Sequence, residues 1–257
     1  MPNSSPLRVI QITDMHLHDE PGALLRGSPV DAGLRAVLQW LQRRHWPADL
    51  MLATGDLIHE AGEPAYRRLR DYLEPLGVPV YCLPGNHDAP GILDAALDGG
   101  LVRRQRHVLA GAWQFMLLDS TVPGSTAGHL DLTELNFLAS TLAAYPDHHA
   151  MICLHHHPLD IGSAWLDTMT VDNGAALFAL LDQYTQVRAV VWGHIHQTFA
   201  SRRGGVELLG TPATCIQFRP GLATPVPDDL TPAYRWFELH EDGSVITGVE
   251  HVAAAES

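Results

Sequence analysis

Cysteine, basic residues and long apolar runs are all scarce in this chain. The three cysteines, Cys82, Cys153 and Cys215, lie far apart, which excludes a Cys-X-X-Cys redox pair or a metal knuckle. We expect reduced, buried thiols, the usual state of free cysteine in an interior. No apolar run reaches the length of a membrane span, and Met1 to Pro6 lacks the basic and apolar regions of a signal peptide. These absences predict a cytoplasmic protein.

The deficit of positive charge limits the choice of partners. The chain has 16 Lys and Arg residues against 29 Asp and Glu residues, a formal net charge of -13. Tight non-specific binding to DNA or RNA depends on neutralising phosphates with Lys and Arg, so we expect no nucleic-acid partner. An anionic substrate must then be attracted locally, and bound metal ions would supply that attraction.

The length and the composition suit one large core. With 257 residues, of which 46% are hydrophobic, we predict a single domain over residues 1–257. Apolar strands alternate with helical patterns, which indicates an α/β fold. The first helix is predicted to begin with Ser28 as N-cap and Pro29 at its first position, and Asp131 is predicted to cap a later helix.

The C-terminal part, residues 197–257, has a different pattern. Val206–Leu209, Tyr234–Leu239 and Val245–Val252 are predicted as strands, and this part is expected to be antiparallel. Residues 220–232 are rich in Pro, Gly, Thr and Asp, which favours an ordered loop or lid over a site.

Five short clusters of metal-ligand residue types each follow an apolar strand. They are Asp14-Met15-His16, Gly55-Asp56, Gly85-Asn86-His87-Asp88, His155-His156-His157-Pro158 and Gly193-His194-Ile195-His196. Ligands of α/β proteins gather beyond the carboxyl ends of strands, so we expect the five clusters to meet at one rim. Any single cluster is ordinary turn chemistry, but the five in this order indicate a shared site.

The residue types in these clusters suit a pair of metal ions. Such a pair needs oxygen and imidazole donors, an anionic bridge and an open position. Asp56 is the natural bridge because a carboxylate has two oxygens, and Asn86 offers a neutral carbonyl oxygen. The clusters contain no thiolate, which favours iron, manganese, cobalt or zinc in a hard site over a structural Cys-type zinc site.

The same motifs carry a family resemblance. The pattern D-x-H, G-D, G-N-H-[DE], H and G-H-x-H resembles the calcineurin-like metallophosphoesterases, and within them the bacterial class III 3′,5′-cyclic-AMP phosphodiesterases. Further matching segments are Leu154-His155-His156-His157-Pro158-Leu159, Ser163-Ala164-Trp165-Leu166-Asp167, Gly193-His194-Ile195-His196-Gln197 and Thr211-Pro212-Ala213-Thr214-Cys215-Ile216-Gln217-Phe218. The resemblance implies a four-layer αββα sandwich with a dinuclear metal site at the carboxyl ends of the strands.

The resemblance also implies a division of the ligands. The first metal would be held by Asp14, His16 and His196, with Asp56 as the bridge, and the second by Asn86, His155 and His194. Because three histidines stand in a row, His156 is the alternative to His155. The metals would be two divalent or mixed-valence ions, with iron and manganese preferred over cobalt and zinc. A homodimer is a further implication.

The implied reaction is hydrolysis of 3′,5′-cyclic AMP to 5′-AMP by a metal-bound hydroxide. His87 would stabilise the developing charge or protonate the leaving 3′ oxygen, and Asp88 would orient His87. Asn86, His87 and His156 are the candidate substrate contacts. Other histidines, among them His18 and His59, are assigned to the surface or to the core.

Two other functions remain open from the sequence. The same centre could serve glycerophosphodiesters or other phosphate diesters, and a phosphoesterase-like scaffold could bind partners without catalysis. Trp165 and Phe218 could stack on a purine, although packing is the simpler interpretation.

Overall fold

The structure is a computed structural model that describes residues 5–60, 62–97 and 99–252, with only the backbone of Pro90. Most of the predicted amino-terminal segment, Met1 to Pro6, therefore lies outside the described residues. Among those described, no helix has both the length and the apolar character needed to cross a membrane.

Fourteen strands, five α-helices and one 3₁₀ helix (Glu74–Leu76) make up the regular structure of these residues. The strands are β1 (Leu7–Ile12), β2 (Leu24–Leu25), β3 (Ser28–Pro29), β4 (Leu50–Thr54), β5 (Val80–Leu83), β6 (Val102–Arg103), β7 (His107–Ala110), β8 (Trp113–Leu117), β9 (His149–Cys153), β10 (Val187–Trp192), β11 (Phe199–Arg203), β12 (Val206–Gly210), β13 (Ala233–Leu239) and β14 (Val245–His251). The helices are α1 (Val30–Arg44), α2 (Glu63–Leu73), α3 (Pro90–Ala96), α4 (Leu132–Ala144) and α5 (Gly174–Leu181).

Two six-stranded sheets contain all strands except the β2–β3 hairpin. The first sheet has the order β14-β13-β1-β4-β5-β6 and the second the order β11-β12-β10-β9-β8-β7. Within the first sheet β1, β4 and β5 are parallel neighbours, and within the second β9 and β10 are parallel. Parallel neighbours end at the same edge, so each sheet brings its ligand clusters together.

Three apolar clusters define the layers. Val9, Phe115 and Met151 belong to the cluster between the two sheets. A second cluster joins the outer face of the first sheet to α1 and α2 and includes Leu34, and a third joins the other sheet to α4 and includes Leu138. Sheets covered on their inner and outer faces have almost wholly buried strands. The predicted four-layer αββα sandwich is therefore confirmed.

Two local predictions were wrong by small amounts. Helix α1 begins at Val30 with Pro29 as N-cap, because Ser28 and Pro29 pair with Leu25 and Leu24 in a hairpin. The tail is not wholly antiparallel, since β12 lies parallel to β10, although β13 and β14 are antiparallel. The predicted cap of α4 is confirmed, because the Asp131 side chain accepts a hydrogen bond from the backbone N–H of Glu134.

Candidate metal centre

The loop after β1 and the loop after β4 pair side by side beyond the ends of their strands. The backbone N–H of Asp14 donates to Gly55 O at 3.0 Å, and that of His16 donates to Asp56 O at 2.9 Å. Two predicted ligands of one loop are thus held against the predicted bridge in the other. The parallel register of the strands continues into the site and fixes its backbone.

Five of the seven predicted ligands have left-handed backbone conformations. The φ angles are 53° at Asp14, 48° at His16, 49° at Asp56, 66° at His194 and 49° at His196. A non-glycine residue in this region costs about 1 kcal/mol or more, and such residues cluster at functional sites where the surrounding structure holds them. The left-handed residues at the strand ends therefore direct their side chains toward the site, whereas an extended backbone would place them differently.

Small residues let these turns approach one another. A Cβ atom added at Gly193 would lie 1.9 Å from Thr13 Oγ1, and one at Gly85 would lie 2.2 Å from Asp56 Oδ1. Only glycine fits such a close approach. The Gly-His and Gly-Asn motifs thus have a packing reason as well as a chemical one.

The first ligand group, Asp14, His16 and His196, converges on one point. Their ligand atoms lie within 4.8 Å of one another, and the Nε2 atoms of His16 and His196 are 3.2 Å apart. His196 Nδ1 lies 2.7 Å from Ile216 O and must donate to it, because a carbonyl oxygen only accepts. In the neutral ring this leaves Nε2 bare and facing the cluster, as a metal ligand requires.

The second ligand group contains three buried atoms without a hydrogen-bond partner. They are Asn86 Oδ1, His155 Nε2 and His194 Nε2. His155 Nδ1 donates to Thr54 O at 2.9 Å, so its Nε2 is the nitrogen available to a ligand. Buried polar atoms are nearly always paired, so unpartnered atoms on three predicted ligands indicate a group that accepts their lone pairs. A cation fits all three.

Asp56 lies between the two groups, as a bridge must. Its Oδ2 is 3.6 Å from His16 Nε2 and 3.3 Å from His155 Nε2. Its Oδ1 accepts the backbone N–H of His87 at 2.9 Å. One carboxylate therefore faces both candidate sub-sites and the loop of the proposed acid.

The first two histidines of the triplet, His155 and His156, lie in different environments. His155 contributes ligand atoms to groups with Asp14 and Asp56 and with His194, whereas His156 joins only the latter. His156 Nδ1 is 2.8 Å from Ser120 Oγ, and its ring is fully buried outside the cavity described below. The geometry thus favours His155 over His156 as the ligand, and the expected substrate contact of His156 is corrected, because His156 lies buried beside His155 and His194 and does not line the cavity.

Protonated histidines balance the buried carboxylates. Burial alone would lower the pKa of His155, but the carboxylate of Asp56 raises it to about 9. Burial would likewise lower the pKa of His196, which Asp14 raises well above its usual value. Burial alone would raise the pKa of Asp56, but His155 lowers it well below its usual range. In the metal-free protein the two carboxylates therefore favour protons at positions where cations would neutralise them.

Metal binding should consequently depend on pH. A metal ion must displace the protons of His155 and His196. The apparent metal affinity should therefore decrease as the pH drops below about 9, the pKa of His155. The expected slope is about tenfold per pH unit for each displaced proton. Titration of metal-free protein between about pH 6 and pH 9, with an indicator dye that counts released protons, measures this. Affinity independent of pH, without proton release, would contradict the assignment.

The predicted role of Asp88 is corrected by its contacts. Its carboxylate accepts hydrogen bonds from the backbone N–H groups of Leu57, Ile58 and Gly85 and from the Tyr66 hydroxyl. These bonds fasten the loop of Asp56 to the loop of Asn86. The carboxylate beside His87 Nδ1 is instead Glu60, at 3.7 Å. Asp88 therefore supports the backbone of the site and does not orient His87.

Asp88→Asn should destabilise the protein. The amide NH₂ cannot accept, so donors that now bind one carboxylate oxygen lose their partner. With about 1–3 kcal/mol for each such group, we expect a loss of about 2–4 kcal/mol in the free energy of unfolding. Denaturant titration of metal-free protein measures it, with Asp71→Asn on the exposed side of α2 as the matched control. Equal stabilities of the two variants would show that the Asp88 bonds carry little energy.

A cavity of about 230 Å³ opens onto the ligand cluster. His87 and Asn86 line it, as expected of substrate contacts, together with His59, Arg26, Trp165 and Phe218, among others. The assignment of His59 to the surface or core was therefore wrong. The sequence signal was only its position three residues after Asp56. Arg26 was missed because it reaches the site from the tip of the β2–β3 hairpin, far from any ligand motif.

Comparisons with known proteins agree with this geometry. The calcineurin-like phosphoesterase family profile matches residues 7–198. The chain is 38% identical over 244 residues to 3′,5′-cyclic adenosine monophosphate phosphodiesterase CpdA of Pseudomonas aeruginosa, covering 95% of this chain and 89% of that protein. It is also 38% identical over 247 residues to the 3′,5′-cyclic-nucleotide phosphodiesterase alr5338 of Nostoc, covering 96% and 93%.

Solved structures share the fold at low sequence identity. A dimetal phosphatase from Danio rerio superposes with a TM-score of 0.69 at 16% identity, covering 97% of this chain and 100% of that one. Purple acid phosphatase PPD1 of yellow lupin gives a TM-score of 0.62 at 15% identity, covering 96% and 54%. With its ligand motifs at the strand ends of a four-layer sandwich, the chain belongs to the calcineurin-like phosphoesterase family.

Proposed function

We propose that this protein hydrolyses 3′,5′-cyclic AMP to 5′-AMP at a two-metal centre. The observation that carries the proposal is the convergence of six of the seven candidate ligands, with Asn86 lining the same cavity, in a chain that matches cyclic-nucleotide phosphodiesterases over nearly its full length. A scaffold without catalysis would have no need of this complete ligand set.

In this proposal each of the two ligand groups holds one metal ion. Asp14, His16 and His196 would hold the first ion, Asn86, His155 and His194 the second, and Asp56 would bridge them. When bound, such a pair supplies a nucleophile near neutral pH and neutralises charge on the phosphate. The donor set of imidazole and oxygen atoms suits iron with manganese.

His87 is the residue placed to act on the leaving group. Its ring lines the cavity and is 25% exposed, while its backbone N–H is anchored on Asp56 Oδ1. A leaving 3′ alkoxide is a poor leaving group unless it is protonated, so a histidine at this point would contribute as general acid. Its Nδ1 lies 3.7 Å from Glu60 Oε1.

The far wall of the cavity is aromatic. Trp165 and Phe218 meet edge to face with centroids 5.2 Å apart, and the Arg26 guanidinium lies 5.6 Å from the Phe218 ring centre. Among the described residues Arg26 has no carboxylate within ion-pair distance. An aromatic wall beside an unpaired cation suits a nucleotide, whose base stacks and whose phosphate is anionic. This favours the purine-contact interpretation of Trp165 and Phe218.

Product analysis on three substrates tests the proposal. Metal-loaded protein should convert cyclic AMP to 5′-AMP with a higher kcat/KM than it shows for glycerophosphoethanolamine or bis-p-nitrophenyl phosphate. A markedly higher kcat/KM for a non-cyclic diester would reject cyclic AMP as the substrate while keeping the phosphodiesterase centre. Fewer than about one metal ion per chain after reconstitution, with no activity on any diester, would reject the enzyme itself.

We place the protein in the cytoplasm, where cyclic AMP signals act, and expect it to act without nucleic acid and as a homodimer. Sedimentation measurements on metal-loaded protein would test the oligomeric state.

A further inference from the structure

His59 contacts two residues of the proposed centre and belongs to neither ligand group. Its Nδ1 lies 3.1 Å from Nδ1 of His16, and its ring stacks on His87 with centroids 4.5 Å apart and an interplanar angle of 25°. The His59 backbone is itself fixed, because its N–H donates to Leu17 O at 2.9 Å in the paired loops. A ring on an anchored backbone therefore touches a candidate metal ligand and the candidate acid at once.

The contact with His16 determines which nitrogen of His16 carries its proton. The Nε2 of His16 faces Asp56 and His196, so this atom must be bare to bind a metal. The proton of the neutral ring then lies on Nδ1 and donates to Nδ1 of His59. Such a bond from the distal nitrogen of a metal-binding histidine fixes its tautomer and ring orientation, and its loss typically costs about 10–100-fold in metal affinity or activity.

The contact with His87 limits the orientation of the proposed acid. His87 also contacts His16, edge to face at 5.0 Å, and the 78% exposed side chain of Glu60. An exposed carboxylate at 3.7 Å restrains a ring weakly, because solvent screens the pair. The parallel face of His59 is thus the main surface against which His87 is held.

We propose that His59 is a positioning residue that supports metal binding and turnover through two separable contacts. Its Nδ1 orients the ligand His16, and its ring face orients His87. The inference rests on the proposed two-metal phosphodiesterase function and deepens it. It predicts that metal affinity and turnover can be impaired independently at one position. A residue of merely structural importance would impair both together.

Two substitutions separate the contacts. His59→Phe keeps an aromatic face against His87 and removes the acceptor for His16. His59→Asn keeps an acceptor oxygen on the same side-chain branch as Nδ1 and removes the ring. His18→Phe is the matched control, because the His18 ring lies 4.9 Å from His59, and it belongs to neither ligand group.

Metal-free protein is titrated with Mn²⁺ in competition with a chromophoric chelator. Turnover is measured at saturating Mn²⁺ on bis-p-nitrophenyl phosphate and on cyclic AMP. For His59→Phe we expect binding of one ion weakened about 10–100-fold with kcat retained at saturation. For His59→Asn we expect metal affinity retained and kcat on cyclic AMP lowered about 10–100-fold through misplacement of His87.

Several results would overturn the inference. One is wild-type metal affinity and kcat in both variants. Another is an equal loss of metal affinity and kcat in both variants. The third is a similar loss of metal affinity or kcat in His18→Phe. Binding of a third Mn²⁺ by the wild type, lost in both variants, would instead make His16, His59 and His87 a cation site. If either variant fails to fold, His59→Tyr replaces the ring variant and His59→Gln the acceptor variant. The metal titration needs no substrate, so failure of the cyclic-AMP proposal would leave it interpretable.

Discussion

Asp56→Asn should abolish turnover and weaken the binding of both metal ions. Its carboxylate faces His16 Nε2 at 3.6 Å and His155 Nε2 at 3.3 Å, and its other oxygen anchors the backbone of His87. The amide loses the negative charge that would bridge the two cations and presents an NH₂ group to one of these neighbours. Because the metals supply the main electrostatic stabilisation, we expect kcat to fall by about three orders of magnitude or more.

Metal analysis and turnover on bis-p-nitrophenyl phosphate measure this effect, since that substrate reports the centre whichever diester is natural. Asp147→Asn, at an exposed position with no ligand role, is the matched control. The bridge assignment fails if Asp56→Asn binds two ions with wild-type affinity. Loss of a single ion would place Asp56 in one sub-site only.

His87→Ala should lower kcat by about 10²–10⁴ on cyclic AMP while metal content stays at the wild-type value. The loss should be much smaller on bis-p-nitrophenyl phosphate, because p-nitrophenolate leaves without a proton whereas a ribose alkoxide does not. This difference between substrates identifies a general acid. A residue that only stabilised charge on the phosphate would affect both substrates alike.

The control for His87→Ala is His129→Ala, whose ring pairs with Asp172 away from the cavity. Metal content is measured on the same preparations. If His87→Ala loses metal and keeps its turnover per bound ion, His87 is a ligand and the proton must come from elsewhere.

Much of the ligand set was predictable because its signal is local. Each cluster comes directly after an apolar run, and the carboxyl ends of parallel strands meet at one edge of a sheet. Three clusters follow β1, β4 and β5 in one sheet and two follow β9 and β10 in the other, so the two edges together form the rim. Strand type and strand direction were enough to expect this convergence.

The choice within the histidine triplet could not be made from local pattern. His155, His156 and His157 are identical in type and adjacent in sequence. They differ in their contacts with Thr54 O, which is 101 residues away from His155 in sequence. This oxygen accepts a hydrogen bond from Nδ1 of His155, so that the Nε2 of His155 faces Asp56. A preference for the first histidine after the strand agreed with this geometry, but the physical cause lies in another strand.

The roles of Asp88 and His59 were misjudged for the same reason. Adjacency suggested that Asp88 orients His87, yet its side chain turns to the loop of Asp56, 32 residues earlier in numbering. His59 resembled an ordinary surface histidine because its partner His16 is 43 residues away. In each case the partners of the side chain are distant in sequence and close only in the folded protein.

By itself the sequence determined the chemistry available to this protein: imidazole and carboxylate donors without thiolate, placed at the ends of parallel strands in a chain with few basic residues. These features are local in residue type and spacing. Only the tertiary structure decided which nitrogen of each histidine faces the centre, that Asp88 fastens two loops, and that His59 supports the site. Those properties depend on hydrogen bonds and ring contacts between loops, which form only when the two sheets pack face to face.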